Sequence, residues 1–174
     1  LRFVRSCSSA LSPALMARVE QAYGVPMLQG YGMTEASHQM SSNPLPPAER
    51  SAGSVGVATG TEIGIIDGER TLLPEGSYGE VVIRGPGVTS GYLNNPEANA
   101  DSFFDGWFRT GDRGVIENGY LRLVGRLKEM ILRGGENISP AEIEDVLLSH
   151  PAVTDAVCFG VEDAIEVAEE AVST

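Results

Sequence analysis

The chain has 174 residues, 42% hydrophobic and 21% charged, with Gly 21 and Pro 10; this allows one domain or parts of two, rich in turns and short strands, and excludes disorder throughout. Its formal net charge of -12 and pI near 4.5 exclude nucleic acid and anionic membrane surfaces as partners, because both repel such a chain. They do not exclude a phosphate ligand, which is held locally by backbone N–H groups and a few cations. No apolar run has the length of a membrane span, and no basic-then-apolar signal opens the chain. Cys7 and Cys158 lie far apart with no metal-ligand spacing, which fits buried thiols in a reducing compartment.

In chain order, residues 1 to 6 read as a strand. Ser12 is an N-cap with Pro13 at the first helical position; Leu15, Met16, Val19, Ala22 and Tyr23 repeat at helical spacing, and Gly24 ends the helix. A second strand starts over Pro26 to Gln29 and feeds a loop carrying Tyr31. The unit is βαβ, so the loop "SCSSA" and the loop "YGMTE" face one pocket at one sheet edge. Residues 41 to 52 read as an irregular connection. Short strands over Glu62–Ile66, Glu80–Arg84, Val115–Ile116 and Tyr120–Val124, with a brief helix over Pro96–Asp101, predict a compact antiparallel β unit. Ser139 to Glu142 is a capping box with Pro140 at the first helical position, opening a helix striped by Ile143, Val146 and Leu147. A strand over Ala152 to Phe159 follows, then an acidic stretch from Glu162 to Thr174 that reads as a short amphipathic helix or a frayed end.

The chemistry centres on Tyr31-Gly32-Met33-Thr34-Glu35. An aromatic face stacks on a base, a hydroxyl donates to a phosphate oxygen, and a carboxylate gives Mg²⁺ a hard oxygen ligand. Three further stretches accompany it: "GEVVIRGPGVTSGYL" (79–93), "WFRTGD" (107–112) and "GRLKEMILRGGENISPAEIE" (125–144). Read alone, Gly85-Pro86-Gly87 is a turn and Asp112 serves equally as a turn-capping acid.

In this order, the four stretches resemble the adenylate-forming enzymes: acyl-CoA synthetases, adenylation domains and luciferases. The resemblance covers about residues 1 to 160 and implies a mixed α/β fold. Residues 1–124 would be the end of a large AMP-binding domain, split into a βαβ unit (1–52) and a β subdomain (53–124). Residues 125–128 would be a hinge, and 129–174 an incomplete small C-terminal domain. The resemblance assigns Ser8, Ser9 and Ala10 to the adenine, and Tyr31 to stacking on it beside Gly32. Thr34 goes to the α-phosphate, Glu35 to Mg²⁺, Asp112 and Arg126 to the ribose, and Lys128 to the hinge. The glycines of "RGGEN", Gly134 and Gly135, are narrow enough to approach the pantetheine of coenzyme A. The implied chemistry is attack of a carboxylate on the α-phosphorus of Mg-ATP, then displacement of AMP by the CoA thiol.

Within that family, "LRFVRSCSSALSP", "MTEASHQMSSNPLPP" and "GYLNNPEAN" are similar to the oxalate-CoA ligases. Ser8 and His38 then become candidates to hold the far carboxylate of a very short diacid, with a backbone-bonded loop histidine as the alternative for His38. Asn137 stands where that subgroup has lysine. A fatty-acid or aromatic-acid ligase, and a non-catalytic nucleotide-binding remnant, are the competing readings. Two parts of the family pattern do not appear in these residues, the Ser/Thr/Gly-rich phosphate loop and the lysine of a C-terminal Gly-Lys segment, so the 174 residues alone are expected to be inactive in adenylation. The expected compartment is cytoplasmic or peroxisomal, although Val172-Ser173-Thr174 is not the usual peroxisomal tripeptide.

Overall fold

The computed structural model describes residues 1–7, 11–133 and 136–161; Ser8, Ser9, Ala10, Gly134, Gly135 and the stretch 162–174, with the expectations placed on them, lie outside the described residues. The chain is mixed α/β and divides into two compact units, Leu1–Val124 and Gly125–Thr174.

The first unit opens with β1 (Val4–Ser6), α1 (Pro13–Tyr23) and β2 (Met27–Met33). Ser12 caps α1 as expected, its Oγ accepting from the Leu15 N–H at 3.3 Å. Gly24, in the left-handed region at φ 65°, ends the helix by donating to Glu20 O at 2.8 Å. The helix packs Met16 and half-buried Val19 against Leu11, Met27 and Val4. Leu15 and Tyr23 of the predicted stripe are exposed, so the buried face is narrower than the spacing suggests. Strand β1 pairs parallel to β2, Val4 opposite Met27 and Ser6 opposite Gln29, which turns both C-terminal strand ends to one edge.

Beyond Gln29 the structure corrects the sequence reading. Tyr31 does not lie in a loop: β2 continues through it to Met33, a 3-10 turn spans Thr34–Ala36, and the chain returns antiparallel as β3 (His38–Ser42). His38 therefore starts a strand, and Ser41 and Ser42 belong to that strand rather than to an irregular connection. The strand is hidden in "HQMSS" because its buried positions include serine; Ser41 is fully buried and donates to Val55 O at 2.8 Å. Opposite Tyr31 and Gly32 stand Ser41 and Gln39, so Met40 forms a bulge with its side chain wholly buried. A short β4 (Val57–Ala58) pairs on the far side of β3.

The antiparallel unit contains β5 (Glu62–Ile66), β6 (Gly79–Arg84), α2 (Pro96–Ser102), β7 (Phe103–Phe104), β8 (Trp107–Glu117) and β9 (Tyr120–Arg126). The strand order is β5-β6-β8-β7, with β9 also paired to β8. The sequence showed a strand ending in "WFRTGD" and another at Val115–Ile116, but not that the two are one strand, because "RTGDRG" breaks the apolar alternation; Asp112, read as an exposed acid, is buried. Asn118 and Gly119, at φ 52° and 79°, make the tight β8–β9 turn that "ENG" predicts. One buried cluster, including Tyr31, Met40, Val55, Ile65, Val81, Ile83, Phe108 and Leu121, joins the two sheets. A second cluster buries Trp107 with Ile66 and Val82, and the Arg84 guanidinium lies 4.4 Å from the Trp107 ring centroid.

In the second unit, a 3-10 turn (Leu127–Glu129) leads to the antiparallel pair β10 (Ile131–Arg133) and β11 (Glu136–Ile138), then α3 (Pro140–Leu148). Pro140 opens α3 as expected, but the Ser139 side chain makes no capping bond to the first turn, so the capping box does not close. The expected strand over Ala152 to Phe159 does not form among the described residues. Its apolar alternation is real, but strand formation needs a pairing partner, which sequence periodicity does not supply.

Candidate functional site

The site is built where β2 turns into β3. Gly32 is required there by close approach: a Cβ on it would lie 1.6 Å from His38 O and 2.6 Å from His38 C, so a side chain would force the two strands apart. His38 follows Ser37, and both carry positive φ, 83° and 53°. This tight reversal leaves Thr34, Ser37 and His38 exposed and Glu35 half-buried at the sheet edge.

Tyr31 and Asp112, 81 positions apart in sequence, meet in the interior: the Tyr31 hydroxyl donates to Asp112 Oδ2, with the residues 8% and 6% exposed. Asp112 sits in β8 behind a braced turn. Its N–H donates to Thr110 Oγ1 at 3.1 Å, and Thr110 Oγ1 donates to Val81 O at 2.7 Å. Buried Glu80 accepts from the Gly111 N–H at 3.1 Å and from Arg109 Nε at 2.9 Å. That hydrogen bond to Glu80 raises the Arg109 guanidinium above its ordinary value. The Arg109–Glu80 pair thus sets the "RTGD" backbone that presents Asp112, a role no motif spacing indicates.

Glu35 is tied to the Gly-Pro-Gly stretch. Its carbonyl accepts from the Thr89 N–H at 2.7 Å, its Oε1 accepts from the Tyr92 hydroxyl at 2.9 Å, and Ser37 Oγ donates to Gly87 O at 2.9 Å. Burial, then the Glu35 carboxylate, push the Tyr92 phenol above 10.0. Among the described residues no group of three or more His, Cys, Asp or Glu could cage a metal. A single carboxylate suits only an ion that keeps waters or arrives with phosphates, the habit of Mg²⁺.

Gln29 is a residue the sequence reading missed. It is 7% exposed, two positions before Tyr31 on β2, and its backbone carbonyl accepts from the Asn43 N–H at 2.8 Å. Its side-chain Oε1 is buried with no hydrogen-bond partner among the described residues. An orphaned acceptor costs about 1–3 kcal/mol, so it marks a place where a donor such as an exocyclic amine would be stabilised. The only sequence signal was a polar residue inside an apolar strand. Arg126 ends β9 and Lys128 lies in the following 3-10 turn, both exposed, in the second unit.

A mixed α/β chain that brings "YGMTE" and "RTGD" together through the Tyr31–Asp112 bond has the fold class and the motif order of the adenylate-forming enzymes. A family model described as AMP-binding enzyme matches residues 1–93, and the chain belongs to that family. It is 54% identical over 165 residues to the oxalate–CoA ligase of Arabidopsis thaliana, covering 94% of this chain and 32% of that protein. Among solved structures, ATP-bound MatB from Rhodopseudomonas palustris aligns with a TM-score of 0.88 at 34% identity, over 94% of this chain and 33% of that one. MenE from Bacillus subtilis, an O-succinylbenzoate CoA synthetase in complex with ATP and magnesium ion, aligns at 0.83 and 36% identity over 94% and 34%. The chain spans about a third of the length of the curated relatives it matches.

Proposed function

We propose that this chain is the nucleotide-binding portion of an ATP-dependent acid–thiol ligase that activates a short carboxylate, oxalate, as its acyl-AMP and transfers it to coenzyme A. The observation that carries the reading is the buried Tyr31–Asp112 bond, because it unites the motifs that the family resemblance assigns to adenine and ribose. The orphaned Gln29 Oε1 supports it, as an acceptor for the adenine amino group near the stacking tyrosine. Thr34, exposed at the start of the 3-10 turn, is assigned to the α-phosphate and Glu35 to Mg²⁺, which would supply charge neutralisation at the transferring phosphoryl group. Ser8, Ser9 and Ala10 at the adenine, Ser8 and His38 at the substrate, Arg126 at the ribose, Lys128 at the hinge and Gly134–Gly135 at the pantetheine rest on the resemblance alone. So do the domain limits at 124 and 128 and a cytoplasmic or peroxisomal location. No helix among the described residues is long and apolar enough to cross a membrane.

The test is ATP–pyrophosphate exchange by the intact protein with oxalate, octanoate or benzoate, beside AMP binding by calorimetry. Exchange driven by oxalate supports the reading. Exchange driven only by a longer acid replaces the substrate, and AMP binding with no exchange for any acid overturns the ligase reading in favour of a nucleotide-binding remnant.

A further inference from the structure

We propose that Tyr92 positions the Glu35 carboxylate for a divalent cation carried by a nucleoside triphosphate, and that Asn99 holds Tyr92 in place; this inference rests on the assignment of Glu35 to Mg²⁺ above. The stretch 85–93, whose Gly-Pro-Gly reads alone as a turn, runs against the Thr34–Ala36 turn and its exit. The Thr89 N–H donates to the Glu35 carbonyl at 2.7 Å and the Ser37 hydroxyl donates to Gly87 O at 2.9 Å, but neither contact touches the Glu35 head group. The Tyr92 hydroxyl does, donating to Glu35 Oε1 at 2.9 Å. A glutamate side chain turns about several torsions, so a pinned backbone leaves its carboxylate free to swing unless something holds the end. No other donor among the described residues reaches this carboxylate, so the phenol alone sets its orientation, and Oε2 is left for a cation. One carboxylate oxygen suits an ion that demands octahedral geometry and keeps waters.

Tyr92 is itself held from two sides. Its ring stands edge-on to buried Phe108, with centroids 6.5 Å apart and planes at 60°. Both polar groups of its backbone are bonded to one side chain: the Tyr92 N–H donates to Asn99 Oδ1 at 2.7 Å, and Asn99 Nδ2 donates to Tyr92 O at 2.9 Å. Gly91 gives that amide its room, since a Cβ there would lie 3.2 Å from Asn99 Oδ1. Asn99 lies within α2, which Asn95 opens by accepting from the Ala98 N–H at 3.2 Å and which ends at Phe103, paired with Phe108 of β8. The Glu35 head group is therefore tied through Tyr92 to α2 and the antiparallel sheet, as the carboxylates that bind metals are oriented by a hydrogen-bond partner of their own. A phenol suits this task. It is a neutral donor on a stiff ring, so it fixes the carboxylate without cancelling the charge that a cation needs, which a lysine or arginine would do.

The experiment measures ATP affinity by calorimetry in the intact protein, with Mg²⁺ and with the metal chelated, for wild type, Tyr92→Phe, Asn99→Ala and the double variant. AMP affinity is the check on folding, and the readout is the factor by which Mg²⁺ tightens ATP binding. Tyr92→Phe keeps the ring and the Asn99 clamp but loses the hydroxyl; it should lower that factor about tenfold with AMP affinity held, as loss of a metal ligand's hydrogen-bond partner does. Asn99→Ala should lower it about threefold, and the double variant no further than Tyr92→Phe, because Asn99 acts through the phenol. Tyr92→Phe that binds AMP and keeps the wild-type factor overturns the inference. A double variant whose loss is the product of the single losses overturns the part given to Asn99. If Tyr92→Phe fails to bind AMP, Asn99→Ala decides: an unchanged factor overturns the inference and a lowered one supports it. A wild type whose ATP affinity does not respond to Mg²⁺ overturns the Glu35 assignment instead, and one that binds no AMP overturns the nucleotide reading.

Discussion

Gly32→Ala tests the geometry of the site most directly. A methyl group there would sit 1.6 Å from His38 O and 2.6 Å from His38 C, and both are backbone atoms that cannot swing aside as a flexible side-chain end would. Relief requires β3 to move away from β2 by more than 1 Å, which breaks the pairings of Gly32 with Gln39 and Met33 with His38. Overpacking alone costs about 1–3 kcal/mol, and loss of one or two ladder hydrogen bonds adds about 1 kcal/mol each, for a total of about 3 kcal/mol. For a protein of this size or larger that corresponds to a fall in Tm of at most about 6–12 °C. The control is Gly68→Ala, where a Cβ meets nothing within 4 Å and φ is not in the left-handed region; it should stay within about 0.5 kcal/mol of wild type. Urea unfolding and thermal melts of the intact protein provide the measurement, and AMP titration reports the displacement of Thr34 and Glu35. A Gly32→Ala midpoint indistinguishable from that of Gly68→Ala would refute the reasoning.

Three further outcomes concern other contacts of the same unit. Arg109→Met leaves Glu80, 8% exposed in its side chain, without its ion-pair partner, and should cost about 3 kcal/mol in urea unfolding, while Glu80→Gln/Arg109→Met should recover part of that loss. The Met27 N–H, then Arg50, hold the Glu20 carboxyl below its ordinary 4.5, so the stability it contributes is present above pH 4.5 and is lost as pH falls through the lower folded value; Glu20→Gln should flatten the acid limb of a stability–pH curve below 4.5. The Glu35 carboxylate contributes to the raised Tyr92 phenol, so Glu35→Gln should move the Tyr92 titration, read as the ultraviolet difference from Tyr92→Phe, back toward 10.0; an unmoved midpoint would discount the Tyr92–Glu35 bond.

Local chemistry made some of this legible in the sequence. Ser12, Pro13 and Gly24 bound α1 because capping acts within one turn, and Asn118-Gly119 marks a hairpin because only a few residues accept two successive positive φ values. Strand β5 was read at its observed limits, Glu62 to Ile66. What stayed hidden depends on distant partners. Tyr31 reads as a loop residue because it is flanked by glycines, yet those glycines are what lets β3 lie against β2. Ser41 looks solvated and is fully buried, because the Val55 carbonyl satisfies its hydroxyl. Tyr92 sits in "GYL" with no visible partner until the fold brings Glu35 to it. Gln29 is the reverse case, a polar side chain whose missing partner is evident only after burial is known.

The buried Trp107 beneath Arg84 has an optical consequence. It is the chain's single tryptophan, and all five tyrosines, at positions 23, 31, 78, 92 and 120, also precede residue 125. Every chromophore that absorbs strongly at 280 nm in this chain therefore belongs to the first compact unit, and the residues from Gly125 onward are dark to that light. Fluorescence from these residues follows the melting of the two joined sheets alone, while far-ultraviolet dichroism also follows α3. The gap between the two melting curves is a built-in measure of how independently the two units hold together.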